Sequence, residues 1–218
     1  PREVLGGSGF AVQEDNVMAE FNVPPASNAD EFSNNIGRML NYLKNEEFGP
    51  KGLDLLAAPS MEFSREQLNS RQAGMFGCEP DYCAWTLEEN EVAHSPELEH
   101  LRTCGGHLHV SFTVDERNPS LEDMLLMVKT LDIFLGVPGI HLDKDIRRKH
   151  RYGKAGAFRV KRYGEFDGVE YRVLSNFWIK SEEFRKWAFN SIQNAITFLN
   201  RQDDDPVRSV TKQEPNVI

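Results

Sequence analysis

The stretch that decides the fold reads GGHLHVSFT, from Gly105 to Thr113. Apolar and polar side chains alternate through it, with Leu108, Val110 and Phe112 on one side and His107, His109 and Ser111 on the other. Strict alternation is typical of a half-buried β-strand, because successive side chains point to opposite faces of a sheet. The pattern therefore predicts a strand whose polar face carries imidazoles.

Two further stretches show the same alternation and place ionisable groups on their polar side. Residues 17–23 (VMAEFNV) carry Glu20, and residues 169–174 (VEYRVL) carry Glu170 and Arg172. If the three strands share one sheet, these polar faces converge into one concave surface. Carboxylates with an imidazole suit a hard divalent cation such as Mg²⁺ or Mn²⁺. We therefore expect a metal site on this face.

Helical spacing of apolar residues appears between the strands. It predicts amphipathic helices over residues 27–45, 121–135 and 181–199, while residues 53–63 read as extended chain. Interspersed helices and alternating strands predict an α+β fold, with a mostly antiparallel curved sheet and helices packed on its apolar face. We expect one catalytic domain over residues 1–202 and a polar tail over residues 203–218.

Charge and hydropathy narrow the class of partner. The formal net charge of −9 argues against a nucleic-acid binder. No uninterrupted run of about 18 apolar residues and no signal-like leader occur, so we expect no membrane partner and a cytoplasmic location. Nine of the 25 Lys and Arg residues nevertheless fall between Lys144 and Arg162. This basic segment predicts a local polyanionic ligand such as a nucleoside triphosphate.

Several of these elements resemble a known superfamily. GGHLHVSF is similar to the G-x-H-x-H-x-S strand of the glutamine synthetase and glutamate–cysteine ligase superfamily. Arg159 or Arg162 followed by Glu170-Tyr-Arg172 resembles its R…E-x-R element, and Glu20 in AEFNVPP resembles an E-x-S/N-x-x-P strand. With the loop FGCEPDYCAW and the segment RRKHRYGKAGAFR, the chain looks most similar to the phage COOH.NH2 ligase type 2 family, over roughly residues 5–180.

The resemblance implies a glutamine synthetase-like catalytic sheet and an ATP- and Mg²⁺- (or Mn²⁺-) dependent ligase that forms an amide through an acyl phosphate. The implied metal ligands are Glu20, His107 and Glu170, with Glu79 and Asp81 as the carboxylates that would complete the site. The implied nucleotide and phosphate contacts are Arg151, Lys154, Arg159, Arg162 and Ser111. The implied catalytic residues are Arg172 and Arg159, with Asp81 or Glu62 as the base.

The implied partners are a carboxylate and an amine, each a small molecule or a peptide, and the resemblance places the reaction in the cytoplasm of an infected host cell. Oligomerisation and the identity of both substrates stay open. The superfamily usually opens with a strand carrying D/E-P-E-F-F, and nothing before Glu20 matches it. Either an opening strand is missing or that metal position is built differently.

Two other interpretations compete with the ligase. Cys78, Cys83, Cys104 and His107 follow a C-x4-C…C-x2-H pattern, which permits a zinc-stapled binding domain and would make His107 structural. A ligase-like domain that has lost catalysis and acts as a binding module is the other. The basic segment would then be an ordinary solvated surface.

Overall fold

The computed structural model describes residues 1–7, 9–15, 17–70, 80–91 and 98–201. Within these residues the fold contains nine short strands and four α-helices. The strands are β1 (Arg2–Glu3), β2 (Ala11–Asp15), β3 (Met18–Asn22), β4 (Ser60–Glu62), β5 (Tyr82–Cys83), β6 (Leu101–Thr103), β7 (Leu108–Ser111), β8 (Ala157–Tyr163) and β9 (Phe166–Tyr171). The α-helices are α1 (Ala29–Tyr42), α2 (Leu121–Leu131), α3 (Val137–Leu142) and α4 (Glu182–Asn200).

Every helix but α3 begins at a side-chain cap. Asn28 caps α1, Ser120 forms a capping box with Asp123 at the start of α2, and Ser181 caps α4. Each cap oxygen accepts a backbone N–H that has no partner inside its helix. Short π-helical segments, Leu43–Phe48 and Asp132–Gly136, continue α1 and α2. The predicted helices are therefore confirmed, with shifted ends.

The strands form three separate antiparallel sheets. β1, β2 and β3 make one, β4 and β6 make a second, and the third has four strands in the order β5-β8-β9-β7. The α+β class and the antiparallel pairing are confirmed. The expectation of one shared sheet is wrong, because Glu20 lies in the β1-β2-β3 sheet whereas His109 and Glu170 lie in the four-stranded sheet.

The four-stranded sheet has one apolar and one polar face. Leu108, Tyr171 and Phe158 form one cross-strand row, which is buried against the helices. The core beneath it takes Met127 and Leu131 from α2, and α4 contributes Ala188, Ile192 and Ala195. The next row along the strands, His109, Glu170 and Arg159, therefore points to the opposite face.

A buried carboxylate marks the point where α2 passes into its π-helical segment. Asp132 accepts hydrogen bonds from Trp85 Nε1 at 2.6 Å and from the Tyr171 hydroxyl at 2.7 Å. Burial raises the pKa of Asp132 to about 6, although both hydrogen bonds oppose that rise. The interaction ties this helix to β9 on the apolar side of the sheet.

The continuous helical stretch Leu121–Leu142 is long and apolar enough, by length and composition, to cross a membrane. Its buried side chains, however, are part of the protein core: Met124, Met127, Val128, Leu131 and Leu135 all pack within it. A core helix satisfies the same criteria, so this helix supplies no separate argument for a membrane partner.

Candidate functional site

Glu170 is the centre of the polar face. Its side chain is only 5% exposed, and four basic side chains surround it. Oε1 lies 3.0 Å from His107 Nδ1 and accepts a hydrogen bond from Arg172 Nη1, while Oε2 lies 3.6 Å from both Arg159 Nη1 and Lys161 Nζ. One carboxylate therefore holds a cationic cluster together.

Sheet register explains how distant residues reach this cluster. Glu170 lies opposite His109 on one neighbouring strand and Arg159 on the other. Arg172 follows β9 by one residue and shares the face of Glu170, as the alternation predicted. His107 precedes β7 and lies with its Nδ1 3.2 Å from Arg172 Nη1.

Two residues of this face were missed in the sequence. Lys161 and Tyr163 follow Arg159 at steps of two along β8, so all three point to the polar side. Tyr163 contacts His109, with its hydroxyl 2.7 Å from Nδ1. The signal was the alternation in AFRVKRY, which the basic composition of the segment had obscured.

Arg162 lies on the other face of the same strand. It pairs in register with Asp167, its side chain is 73% exposed, and its Nε donates to the carbonyl of Gly164 at 3.2 Å. Because Arg159 and Arg162 are three residues apart on one strand, they point to opposite sides. The structure therefore brings Arg159, and not Arg162, to Glu170.

The β2–β3 hairpin contributes acidic side chains from the neighbouring sheet. Glu20 pairs with Gln13, which donates a hydrogen bond to it, and Asp15 pairs with Met18 on the same face. Met18 Sδ lies 3.0 Å from Cys104 Sγ, so this face approaches the turn before His107. Partial desolvation raises the pKa of Asp15, Glu20 adds to the rise, and Arg172 opposes it. Asp15 was not predicted.

Desolvation lowers the pKa of both histidines, although the His109 side chain is exposed on β7. The hydrogen bond with Glu170 opposes this effect for His107, and the charges of Glu170 and Glu20 oppose it for His109. Burial would raise the pKa of Glu170, but the hydrogen bond from His107 and the nearby positive charges outweigh it and lower the pKa. The carboxylate of Glu170 is therefore ionised at neutral pH.

Three further residues were predicted to contact the nucleotide or its phosphates: Arg151, Lys154 and Ser111. Arg151 is buried and donates to the carbonyls of Leu101 at 3.1 Å and Leu98 at 2.5 Å. Lys154 is exposed in the loop before β8, and Ser111 is exposed at the end of β7. These contacts make Arg151 a support for β6 in this structure.

Two candidate carboxylates fall outside the cluster. Glu62 is 73% exposed on β4, in the two-stranded sheet, and lies 4.0 Å from Arg147. Glu79 lies outside the described residues, as does the predicted tail at residues 203–218. The geometry thus gives Glu62 no contact with Glu170, while Asp81 does reach the site through Arg172.

His107 and Glu170 are the residues of this cluster that could ligate the expected divalent cation. His107 Nδ1 and Glu170 Oε1 are joined by a hydrogen bond at 3.0 Å, which leaves His107 Nε2 and Glu170 Oε2 as the ligand atoms; both are buried and have no hydrogen-bond partner in the described part of the chain. Within the described ranges, no group of three or more His, Cys, Asp or Glu side chains could hold a metal ion. Mg²⁺ commonly keeps waters and takes phosphate oxygens as ligands. The pair therefore fits as two protein ligands of a metal bound together with phosphate.

The zinc interpretation has little geometric support. Cys83 Sγ contacts the carbonyl of Ala155 at 3.5 Å, Cys104 Sγ contacts Met18, and His107 contacts Glu170. Burial raises the pKa of Cys104 to about 11, which disfavours the thiolate that binds zinc. Cys78 lies outside the described residues.

Fold and site together define an α+β protein whose antiparallel sheet presents a cationic polar face around one buried carboxylate. Residues 92–214 match the family model described as Phage phiEco32-like COOH.NH2 ligase-type 2. The match covers more than half of the chain, and the chain belongs to this family, which is named for carboxylate–amine ligation. Comparisons with curated proteins and with solved structures gave no significant match.

Proposed function

We propose that this protein is an ATP-dependent carboxylate–amine ligase that forms an amide bond through an acyl phosphate. The observation that carries the proposal is the cluster of Arg159, Lys161, Arg172 and His107 around Glu170, in a chain of a ligase family. Concentrated positive charge on a sheet face suits the phosphates of ATP and the charge that develops during phosphoryl transfer.

Arg159 and Lys161 are assigned to the phosphates. Their ion pairs with Glu170 Oε2 are loose, at 3.6 Å each, so a phosphate oxygen can replace the carboxylate without breaking a tight hydrogen bond. Arg172 is assigned to the acyl phosphate because it is only 1% exposed and its charge acts in a desolvated setting. Arg162, Lys154 and Ser111 stay candidates for the outer part of the nucleotide.

The proposed reaction has two balanced steps. An oxygen of the substrate carboxylate attacks the γ-phosphorus of ATP, the bond to the β-phosphate oxygen breaks, and ADP leaves. The amine nitrogen then attacks the acyl carbon, the carbon–oxygen bond to phosphate breaks, and inorganic phosphate leaves as the amide forms. The nitrogen loses one proton to a base. ATP is needed because a free carboxylate is a poor electrophile.

We propose that Mg²⁺ or Mn²⁺ binds together with the nucleotide. His107 and Glu170 would supply protein ligands, with Glu20 as a further candidate from the hairpin. Such an ion would neutralise phosphate charge. The protein's own contribution is to hold both ligands beside the cationic residues.

The proton acceptor is better sought on the hairpin than at Glu62 or Asp81. Glu62 has no contact with the cluster, and Asp81 is paired with Arg172 at 2.9 Å. Asp15 and Glu20 lie on the hairpin face next to the site, and partial desolvation of Asp15, together with the charge of Glu20, raises its pKa and favours proton uptake. We assign the base to Asp15.

Hydroxylamine tests the proposal without knowledge of the amine substrate, because it attacks any acyl phosphate to give a hydroxamate. Full-length protein is incubated with ATP, Mg²⁺, hydroxylamine and pools of amino acids or peptides, and hydroxamate is measured as its iron(III) complex. ATP-dependent hydroxamate from one pool is the expected result. We also propose that the protein acts in the cytoplasm of a host cell, where ATP is abundant.

Two variants control this assay. Lys161→Met should reduce hydroxamate formation at least about 10-fold, since one charge-assisted contact to phosphate contributes roughly 1.5–3 kcal/mol. Lys44→Met removes a lysine whose exposed ion pair with Asp54 spans 3.8 Å, and should leave the rate unchanged. ATP and phosphate binding without hydroxamate from any pool would replace the ligase with the binding-module interpretation.

A further inference from the structure

A short hairpin at residues 80–90 reaches the cationic cluster from the edge of the four-stranded sheet. β5 pairs with β8 in register, and Tyr82 forms a bridge to Glu89. Backbone hydrogen bonds close the turn, from Cys83 N to Glu88 O at 2.9 Å and from Leu87 N to Cys83 O at 2.8 Å. We call residues 80–90 the brace.

The brace holds Arg172 through Asp81. Arg172 Nε donates to Asp81 Oδ2 at 2.9 Å, and both side chains are almost fully buried, with 2% and 4% exposed. Asn90 fixes Asp81 from the other side: its Nδ2 donates to Asp81 Oδ1 at 2.9 Å, and its backbone N–H donates to the Asp81 carbonyl at 2.8 Å. Both carboxylate oxygens are therefore engaged, which leaves Asp81 poorly suited to act as a base.

The same segment holds Arg159. Its Nε donates to the carbonyl of Pro80 at 3.2 Å, while its Nη1 lies 3.6 Å from Glu170. Both arginines are thus fixed at Nε by adjacent residues of the brace, and both extend their terminal nitrogens toward Glu170. A planar guanidinium held at Nε has a defined orientation for the rest of its donors.

One nitrogen of Arg172 has no hydrogen-bond partner within the described part of the chain. Nη1 hydrogen-bonds Glu170 and approaches His107, and the guanidinium carbon lies 5.1 Å from the Tyr152 ring centre, but Nη2 is buried and unsatisfied. Unsatisfied buried donors are rare and costly, and a bound water, ion or ligand accounts for such a donor. The fixed orientation presents Nη2 to such a ligand.

We propose that Asp81 and Asn90 are positioning residues that orient Arg172 so that Nη2 receives an oxyanion of the phosphorylated substrate. This inference rests on the proposed function, because that function supplies the phosphate. It reassigns Asp81 from proton transfer to the orientation of an arginine. It also gives Asn90 a role that its half-buried position in a surface hairpin would not suggest.

The test combines a geometric readout with a binding readout. Proton exchange at Arg172 Nε is followed by ¹⁵N NMR in the full chain, and tripolyphosphate binding is measured by calorimetry at fixed salt. Asn90→Ala should speed Nε exchange and weaken binding about 5- to 10-fold, and Asp81→Asn should weaken it more, with partial recovery in Asp81→Glu. Asn118→Ala, which removes side-chain contacts to Glu165 and Asp167 elsewhere, is the matched control.

The outcomes of this test either support or overturn the positioning role of Asp81 and Asn90. Faster Nε exchange with weaker tripolyphosphate binding in the brace variants alone supports the inference, even if no hydroxamate forms and the ligase proposal fails. Unchanged affinity despite faster exchange overturns it, as does wild-type protein that binds no tripolyphosphate. Wild-type Nε exchange as fast as that of an exposed arginine such as Arg117 also overturns it, because the contact with Asp81 would then be absent. Thermal unfolding of all variants identifies any that fail to fold. If Asp81→Asn or Asn90→Ala fails to fold, Nε exchange and tripolyphosphate affinity are compared between wild type and Asp81→Glu instead.

Discussion

Replacement of Asp132 by asparagine should change how stability depends on pH. Asp132 is 6% exposed, and burial raises its pKa from 3.8 to about 6. Because the folded state holds this proton more tightly than the unfolded state, wild-type stability falls as pH rises from about 4 to 6 and is level above. A rise of roughly two pKa units corresponds to about 3 kcal/mol.

The side-chain amide of the Asp132→Asn variant cannot ionise, so the variant lacks this fall. Its oxygen can still accept from Trp85, and its NH₂ group can donate to the Tyr171 hydroxyl, so we expect only a modest change in stability at pH 4.5. Urea unfolding of both proteins at several pH values from 4.5 to 7 measures the difference. Between pH 4.5 and 7 the variant should gain about 2 kcal/mol of unfolding free energy relative to wild type, because the rest of the difference develops below pH 4.5. A difference that stays constant with pH would refute the reasoning, since Asp132 would then titrate normally.

Two further predictions follow from single contacts. Gly105→Ala places a Cβ against His107 Nε2, well inside van der Waals contact, so the imidazole must move. We expect a changed His107 NMR signal and a several-fold lower affinity for tripolyphosphate. An unchanged NMR signal would contradict this. Hydrogen bonds from Arg147 lower the pKa of Asp145 to about 2, with Ser60 also donating. Asp145→Asn should therefore destabilise the protein at pH 7, and that difference should shrink as pH falls from 4 toward 2; a constant difference in urea unfolding would count against the ion pair.

Local pattern was sufficient for two of the strands that carry the chemistry, β7 and β9. The alternation around His109 and around Glu170 predicted both strands and the correct polar face, and the register then aligned these residues opposite each other. The sequence also predicted the amphipathic helices, because apolar spacing and capping residues are local features. Strand β8 was missed because its alternation lies inside a basic segment that was interpreted only by its charge, as a binding segment for a polyanion.

Tertiary structure alone decided which charges meet. Alternation along β8 places Arg159 and Arg162 on opposite faces, but only the pairing register with β9 puts Arg159 directly opposite Glu170. Glu20 was predicted on a shared sheet, but it approaches from a separate hairpin. Long-range pairing of this kind depends on loop geometry and packing, and single-sequence patterns do not contain it.

By itself, the sequence determined the α+β class, the polar and apolar sides of its principal strands, and the resemblance to a ligase family that the family match confirms. The tertiary structure decided that Glu170 is surrounded by His107, Arg159, Lys161 and Arg172, and that Asp81 contacts an arginine. The physical reason is that periodicity records which face a side chain takes within its own element, whereas electrostatic partners are set by contacts between elements far apart in the chain.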